Sequence, residues 1–309
     1  MKGMGATQMP ALARPGEVTS RTCTRLGYRR LIQGVYGRAV PIDGLDARQR
    51  RRAEFIARVQ AVMACYEAKG AVLFGTTALQ VLGVALPERL EDWKTCHILL
   101  PPGAGKVGRA GVNGHRGRFP VQVWGRRYGL PLLHPVEHWM QLRGATDDEL
   151  IEVGDGLLRR QRPLLGMDEV TSAVSRLAHR PGVERVRGAL RWVRPGTDSL
   201  YETRTRLVLV HAGLPEPCVN LEVRCAGSGV PFHLDMGYKR ERVGVEYDGA
   251  VHVGNRAQME FDARRRCLLQ DDGWLLVPVT ADLLRGPAQV VASVEQALVL
   301  RRAALGRAW

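Results

Sequence analysis

The chain has 309 residues, of which 45% are hydrophobic and 25% charged, the composition of a globular protein long enough for two ordinary domains. No apolar run approaches the ~20 residues that a membrane-spanning helix needs, and residues 1–10 lack the apolar core of a signal peptide. We therefore expect a cytoplasmic protein. The six cysteines form no CxxC pair, which argues against a structural zinc site.

The net charge of +14 is distributed unevenly along the chain. Residues 1–195 carry 31 basic and 17 acidic side chains, whereas residues 196–309 carry 14 of each. A basic region joined to a neutral one predicts a polyanionic partner for the basic part. The alternative is a codon effect, because Arg outnumbers Lys by 40 to 5, as GC-rich genomes tend to produce.

Short strands and amphipathic helices alternate through the first two thirds of the chain. We expect a flexible tail over residues 1–16, which are rich in Gly, Pro and Ala. Apolar spacing and Gly and Pro residues then predict strands at 31–37, 96–100 and 120–124, and helices at 46–69, 76–82, 135–142, 147–158 and within 166–190. The run Arg194–Thr197 interrupts this pattern, so it predicts a boundary between a domain at 17–195 and a domain at 196–309.

The last third of the chain has a regular order of elements. The pattern predicts helices at 199–212, 255–271 and 287–304, and strands at 219–224, 232–238, 243–247 and 274–279. Because three consecutive strands are followed by a helix, a strand and a helix, we expect an α/β unit in which helices flank a mixed sheet. For the preceding domain we expect a mixed α+β structure.

Three acidic residues fall within or just after two of these strands. Asp235 lies in the strand at 232–238, and Glu246 ends the apolar strand that follows it. A hairpin would bring both carboxylates to one edge of the sheet, and Asp248, two residues after Glu246, would share its face. Three neighbouring carboxylates repel one another unless a cation neutralises them. The spacing therefore predicts a Mg²⁺ (or Mn²⁺) site with Asp235, Glu246 and Asp248 as ligands.

Further residues of the last third match the pattern of a known nuclease branch. The matching segments are Ser199–Arg204, Ala212–Pro217, Val245–Gly249 with His252, Asp262 with Arg265, and Gly273–Trp274. With the two strand-borne acids, they make residues 198–285 resemble the PD-(D/E)XK nuclease superfamily, in the branch related to very-short-patch-repair endonucleases. The resemblance implies a restriction-endonuclease-like mixed sheet flanked by helices and a metal-dependent endonuclease.

The resemblance also implies catalytic roles, and several alternatives remain open. Asp235 and Glu246 are implied to bind the metal. Asp248 stands where the superfamily has Lys and is implied either to be a third ligand or to orient the water, so the identity of the general base is open. Glu202 is implied to face the metal-bound water, but with Ser199 it also forms the S-x-x-E pattern of a helix cap. His252 is a candidate general acid or base because its pKa is near neutral; the alternative is a structural histidine.

Contacts to DNA are implied near the same cleft. Arg204, Gln258, Asp262 and Arg265 are the implied nucleic-acid-binding residues, although a run of arginines on a helix is also typical of a solvated surface. The family has basic residues at two further positions that are His233 and Pro278 here, and this departure implies weaker or altered DNA binding.

The basic first part of the chain resembles abortive-infection (AbiEi-like) antitoxins. The resemblance rests on Leu31–Tyr36, on Thr76–Leu79 with Leu82–Val84, and on Gly111–Arg116. It implies a DNA-binding region, with a truncated winged helix before Gly34. Arg29, Arg30 and Arg116 are then candidate phosphate contacts. The alternative is that they are ordinary surface arginines.

The function that we predict from the sequence is Mg²⁺-dependent hydrolysis of phosphodiester bonds in duplex DNA. A DNA-binding, antitoxin-like regulator with an inactive nuclease fold is the alternative. Neither requires a membrane or a small-molecule cofactor.

Overall fold

The computed structural model describes residues 12–13, 28–38, 44–117, 122–225, 229, 231–249 and 256–306. It consists of two compact units. The first contains the chain up to Ala145 together with Ala173–Val186, and the second contains Thr146–Ser172 and the chain from Arg187 onward. Sheets flanked by helices confirm the α/β class. None of the helices in the described ranges is long and apolar enough to cross a membrane.

Among the described residues, the first unit holds two sheets and three α-helices of its own. Its strands are β1 (Leu12–Ala13), β2 (Tyr28–Ile32), β3 (Val35–Arg38), β4 (Val72–Leu73), β5 (Cys96–Leu100), β6 (Val112–Arg116), β7 (Gly125–Arg127) and β8 (Leu130–Leu132). Its helices are α1 (Ala47–Tyr66), α2 (Gly75–Leu82) and α3 (Pro135–Met140). The strand orders are β1-β3-β2 and β6-β5-β4-β8-β7. Helix α1 begins at a capping box in which Asp46 and Gln49 each bond the other's backbone N–H.

The strand expected at 120–124 is not where the sequence pattern put it. The described residues 122–124 are not in a strand, and β7 begins at Gly125, antiparallel to β8. The turn between them explains the shift, because Tyr128 (φ 52°) and Gly129 (φ 77°) are both left-handed, as a two-residue hairpin turn requires. Most of the tail expected at 1–16, and the winged helix expected before Gly34, lie outside the described residues.

The second unit is built mainly from the later elements of the chain. Its four strands are β9 (Cys218–Val223), β10 (Phe232–Tyr238), β11 (Val243–Tyr247) and β12 (Leu275–Val279). The helices after residue 146 are α4 (Asp147–Leu157), α5 (Met167–Arg176), α6 (Val183–Leu190), α7 (Leu200–His211), α8 (Arg256–Asp271), α9 (Ala281–Arg285) and α10 (Ala288–Gly306). Helices α5 and α6 each cross a point where the chain passes from one unit to the other. The strands expected at 232–238 and 243–247 are confirmed with the same bounds.

The sheet of the second unit has the order β12-β11-β10-β9 and is mixed. Strand β10 is antiparallel to β9 and β11, whereas β11 and β12 are parallel. Helix α8 connects β11 to β12 along the chain. One face packs against α7 and α10 around Val245, Val279 and Val294. The other packs against α8 around Leu234, Leu269 and Trp274. Both faces are therefore covered, which explains why β11 is an apolar run.

Strand β10 changes face at Asp235. On a regular strand, residues two apart point to the same side. Leu234, however, packs on the α8 face and Met236 on the α7 and α10 face. The pairing with β9 is interrupted here, between Leu234–Leu221 and Met236–Val219, and Asn220 has a left-handed φ of 48°. This interruption breaks the regular alternation of side chains at Asp235, while the register of β10 with β9 is the same on both sides of it.

Helix α4 belongs to the second unit because charged side chains tie it to α7. Arg206 and Asp155 are both fully buried and form an ion pair of 2.9 Å. Asp155 also accepts the Thr203 hydroxyl at 2.9 Å, and Arg206 reaches Glu216 at 2.9 Å. The second unit thus includes Thr146–Ser172, a segment that precedes the boundary placed at residue 195 from the sequence.

Candidate functional site

Asp235 is anchored at the end of the β10–β11 ladder by its own side chain. Its Oδ2 accepts the backbone N–H of Tyr247 at 2.8 Å. Burial raises the pKa of Asp235 to about 6, and the nearby charge of Glu246 acts in the same direction. The Tyr247 hydrogen bond and the Arg265 charge lower this pKa, but they do not overcome burial. Asp235 is therefore a partly buried acid held in one orientation beside a second acid.

Glu202 approaches Asp235 from helix α7. Its side chain is 8% exposed, and its Oε2 accepts the backbone N–H of Asp198 at 2.9 Å. Burial, followed by the charge of Asp235, raises the pKa of Glu202 to about 7. Ser199 caps the helix by accepting the Glu202 N–H at 3.2 Å. Glu202 thus stabilises the start of the helix, and its charge also interacts with that of Asp235.

Glu246 lies near the end of β11 and is paired with Arg265 of α8. Arg265 Nη2 donates to Glu246 Oε1 and, at 2.7 Å, to the backbone carbonyl of His233. The two side chains are 19% and 22% exposed. Leu269, one turn along α8, is fully buried in a core cluster with Leu234 of β10, which holds the helix against the sheet. We call Glu202, Asp235 and Glu246 the acidic cluster.

Aromatic rings adjoin the acidic cluster. Tyr201 and Tyr247 stack with ring centroids 4.7 Å apart and an interplanar angle of 1°. The Arg204 guanidinium lies 5.2 Å from the Tyr201 ring. Arg204 also makes a bidentate ion pair with the buried Glu152, over 2.9 and 3.0 Å. The Arg204 guanidinium, expected to contact DNA, is therefore engaged within the second unit.

Of the remaining expected site residues, the structure describes the side chains of Asp248 and Asp262. Asp248 is exposed and follows the end of β11, where its backbone N–H donates to the Val279 carbonyl at 2.7 Å. Asp262 lies on α8, half-buried, one turn before Arg265. His252 lies outside the described residues, as does the side chain of Gln258.

Asp198 lies within electrostatic reach of the acidic cluster, although the sequence analysis did not single it out. Its charge raises the pKa of both Glu202 and Asp235, although it ranks last among the causes in each case. The carboxylate of Asp198 accepts Arg160 Nε at 2.8 Å and the Gln161 N–H at 3.2 Å. Its position immediately before the helix cap is the one signal in the sequence that places it near Glu202.

The donor chemistry of the cluster fits Mg²⁺ or Mn²⁺ as a two-carboxylate site. A cation would offset the energetic cost of burying the Asp235 carboxylate and of its repulsion from Glu246. Mg²⁺ commonly takes one or two carboxylates, with water and substrate phosphate completing its shell. Within the described ranges, no group of three His, Cys, Asp or Glu side chains is arranged to hold an ion. The three-carboxylate set with Asp248 is thus not assembled among these residues.

The candidate phosphate contacts of the first unit lie on two sheets. Arg29 and Arg30 are on β2, and Arg116 ends β6. Arg30 and Arg116 are exposed, while Arg29 forms a largely exposed ion pair with Glu54 at 3.1 Å. Exposed ion pairs of this kind are weak, so Arg29 can exchange Glu54 for another anion.

Comparisons with known proteins give no functional assignment. No family model matches the chain. It is similar to two Mycobacterium tuberculosis proteins from different strains, "Uncharacterized protein Rv2248" and "Uncharacterized protein MT2308". Each is 28% identical over 233 residues, which is 74% of this chain and 83% of theirs. The solved structure of the Rv2827c protein of M. tuberculosis is 18% identical with a TM-score of 0.35, over 55% of this chain and 63% of that one. This similarity is too low to indicate a shared function.

Proposed function

We propose that the protein is a metal-dependent DNA endonuclease that hydrolyses phosphodiester bonds at the acidic cluster. The observation that supports this most directly is the meeting of Glu202, Asp235 and Glu246, which come from a helix and two strands. Burial raises the pKa of Glu202 and of Asp235, with further contributions from neighbouring acids. Buried carboxylates that repel one another destabilise the fold unless a cation is present. Arg265 supplies one at Glu246, but the pKa values of Glu202 and Asp235 remain raised, so metal binding accounts for the cluster.

Each acidic residue has a distinct task in this proposal. Asp235 and Glu246 would hold Mg²⁺ or Mn²⁺ through their carboxylate oxygens, and the Tyr247 N–H keeps Asp235 oriented. When bound, the metal supplies an acidified water and neutralises charge on the scissile phosphate. Glu202, beside Asp235, would accept the proton of the attacking water. His252, which lies outside the described residues, keeps the role of general acid or base that the resemblance implies.

The basic first part of the chain would hold the substrate. Lys and Arg exceed acidic residues within residues 1–195 only, and phosphate neutralisation by such side chains dominates the affinity of proteins for duplex DNA. Arg30 and Arg116 are exposed on their strands and available to solvent-borne phosphates. The proposal therefore combines a duplex-binding part with a cleaving part in one chain.

A plasmid-nicking assay in Mg²⁺ and in Mn²⁺ tests the proposal. Cleavage should be present in the parent protein and lost in Asp235→Ala and in Glu246→Ala. Asp168→Asn, which removes an exposed acid on α5, is the matched control and should cleave like the parent. Absence of cleavage with every divalent metal, in protein that still binds DNA, would refute the endonuclease proposal.

Two features favour a second candidate, a DNA-binding regulator whose nuclease fold is inactive. Glu246 already has a cationic partner in Arg265, and Asp248 occupies the position where the resembled superfamily has Lys. For such a regulator, duplex binding would be salt-dependent and would not change in Asp235→Ala or Glu246→Ala. The nicking assay and a binding titration on the same variants separate the two candidates.

A further inference from the structure

Arg265 lies among the groups that a metal ion would contact. Its Nη2 donates both to Glu246 Oε1 and to the His233 carbonyl. Its charge also lowers the pKa of Asp235, which places the guanidinium within electrostatic reach of that second acid. The guanidinium carbon lies 6.0 Å from the Phe232 ring, so the side chain is flanked by an aromatic group as well. Arg265 thus acts as a counter-ion supplied by the protein itself.

The position of Arg265 is fixed by packing rather than by the ion pair alone. Leu269, one turn further along α8, is fully buried, and Leu268 beside it packs on the same core cluster. The helix therefore presents Arg265 to β10 and β11 whether or not Glu246 is ionised. An arginine held at less than a quarter exposure beside a carboxylate makes a stronger, less screened pair than one on the surface.

We propose that Arg265 competes with a divalent metal for Glu246 and so sets the metal affinity of the acidic cluster. The inference rests on the proposed function, because it concerns the metal of that site. A metal that takes Glu246 Oε1 displaces Arg265 from that oxygen, and a metal that takes Oε2 is repelled by the neighbouring guanidinium, so in both cases Arg265 opposes metal binding. Arg265 is therefore a positioning residue, and its removal strengthens metal binding instead of weakening it.

Titration with Mn²⁺ alone tests this competition without reference to cleavage. Binding is measured by calorimetry, and free Mn²⁺ is followed by electron paramagnetic resonance, in the full-length protein. Arg265→Met and Arg265→Gln should each bind Mn²⁺ on the order of tenfold more tightly than the parent, the usual size of effect for one charge-assisted hydrogen bond. Arg265→Lys keeps the positive charge and should stay close to the parent.

Two further variants control for indirect effects. Arg285→Met removes the same charge from the same unit, where the arginine forms a largely exposed pair with Asp282, and it should not change the affinity. Adding Glu246→Gln to Arg265→Met should abolish the gain, because the carboxylate in competition is gone. Circular dichroism and urea unfolding verify that each variant is folded.

The outcomes distinguish this inference from the endonuclease proposal. Unchanged or weaker Mn²⁺ binding in folded Arg265→Met and Arg265→Gln, with measurable binding in the parent, overturns the competition and leaves the metal site standing. Tighter binding without cleavage supports the competition and counts against the endonuclease. No Mn²⁺ binding in any variant overturns both.

Discussion

The backbone N–H of Tyr247 donates to Oδ2 of Asp235 over 2.8 Å, just beyond the last backbone pair of the ladder, Met236 with Val245. A side-chain oxygen thus takes the place that a strand carbonyl occupies in a regular ladder. Because strand β10 changes face at this residue, Asp235 ends beside Glu246 instead of entering either hydrophobic core. This hydrogen bond orients the Asp235 carboxylate within the acidic cluster.

Replacing Asp235 by Asn should separate stability from activity. The amide oxygen can still accept the Tyr247 N–H, and the repulsion from Glu246 is removed. We expect the free energy of unfolding at neutral pH to be unchanged or higher, while cleavage falls by at least about 100-fold because a metal ligand is lost. Urea unfolding and the nicking rate, measured on the same preparation, check both parts. A clearly less stable variant would contradict this account of the hydrogen bond.

The acidic cluster should make the protein less stable as pH rises. In the folded state the pKa of Glu202 is about 7 and that of Asp235 about 6, against ordinary values of 4.5 and 3.8. Between about pH 4 and about pH 7 the folded protein therefore keeps protons that the unfolded chain has released. Stability from these groups is fully present below this window and is lost as pH rises through it.

Glu202→Gln removes one of the two titrating groups, so comparing its unfolding free energy with that of the parent at several pH values tests this prediction. In urea unfolding with a chelator present, the parent should lose more stability between about pH 5 and about pH 8 than the variant does. Glu295→Gln, at an exposed site on α10, is the matched control and should follow the parent. Parallel pH profiles for the parent and Glu202→Gln would show that Glu202 does not titrate in this way.

The buried ion pair between Arg206 and Asp155 should be needed for the stability of the second unit. Arg206→Met leaves a fully buried Asp155 whose pKa is already raised by burial despite the pair. Removing one partner of a buried pair costs about 3–5 kcal/mol. Denaturant unfolding measures the loss, and combining Asp155→Asn with Arg206→Met should recover part of it. Arg285→Met, which removes a largely exposed pair, should have no measurable effect.

Two glycines should respond oppositely to alanine. A Cβ on Gly237 of β10 would lie 2.9 Å from Leu221 Cδ2 and 3.1 Å from the Val243 carbonyl oxygen. Gly237→Ala should therefore cost about 1–3 kcal/mol through overpacking. Gly188, within helix α6, has open space at its Cβ position, so Gly188→Ala should stabilise by up to about 1 kcal/mol. Thermal unfolding of both variants provides the comparison.

Duplex affinity should depend on the exposed arginines of the first unit. The double variant Arg30→Ala/Arg116→Ala should bind duplex DNA more weakly at every sequence tested. It should also reduce the slope of log affinity against log salt concentration by about two. Fluorescence anisotropy at several salt concentrations gives both quantities. An unchanged slope would mean that neither side chain contacts phosphate, and Arg285→Ala should leave the slope as it is.

The sequence by itself determined the parts of the fold that depend on local periodicity. Alternation and apolar runs predicted the bounds of β10 and β11, which the structure confirms, and the presence of acids on these strands drew attention to Asp235 and Glu246. Local pattern failed at residues 120–124, because two left-handed residues at 128 and 129, which apolar spacing does not reveal, set the hairpin register.

Only the tertiary structure decided which side chains are neighbours across long separations. Arg265 lies 19 residues from Glu246, and Arg206 lies 51 residues from Asp155. The face change at Asp235 likewise depends on the pairing of β10 with two other strands. Such contacts are set by sheet register and by how deeply a helix packs, and these result from the sum of many core contacts rather than from any local run of residues. The acids and Arg265 could therefore be singled out from the sequence, while the pairing of Arg265 with Glu246 could not.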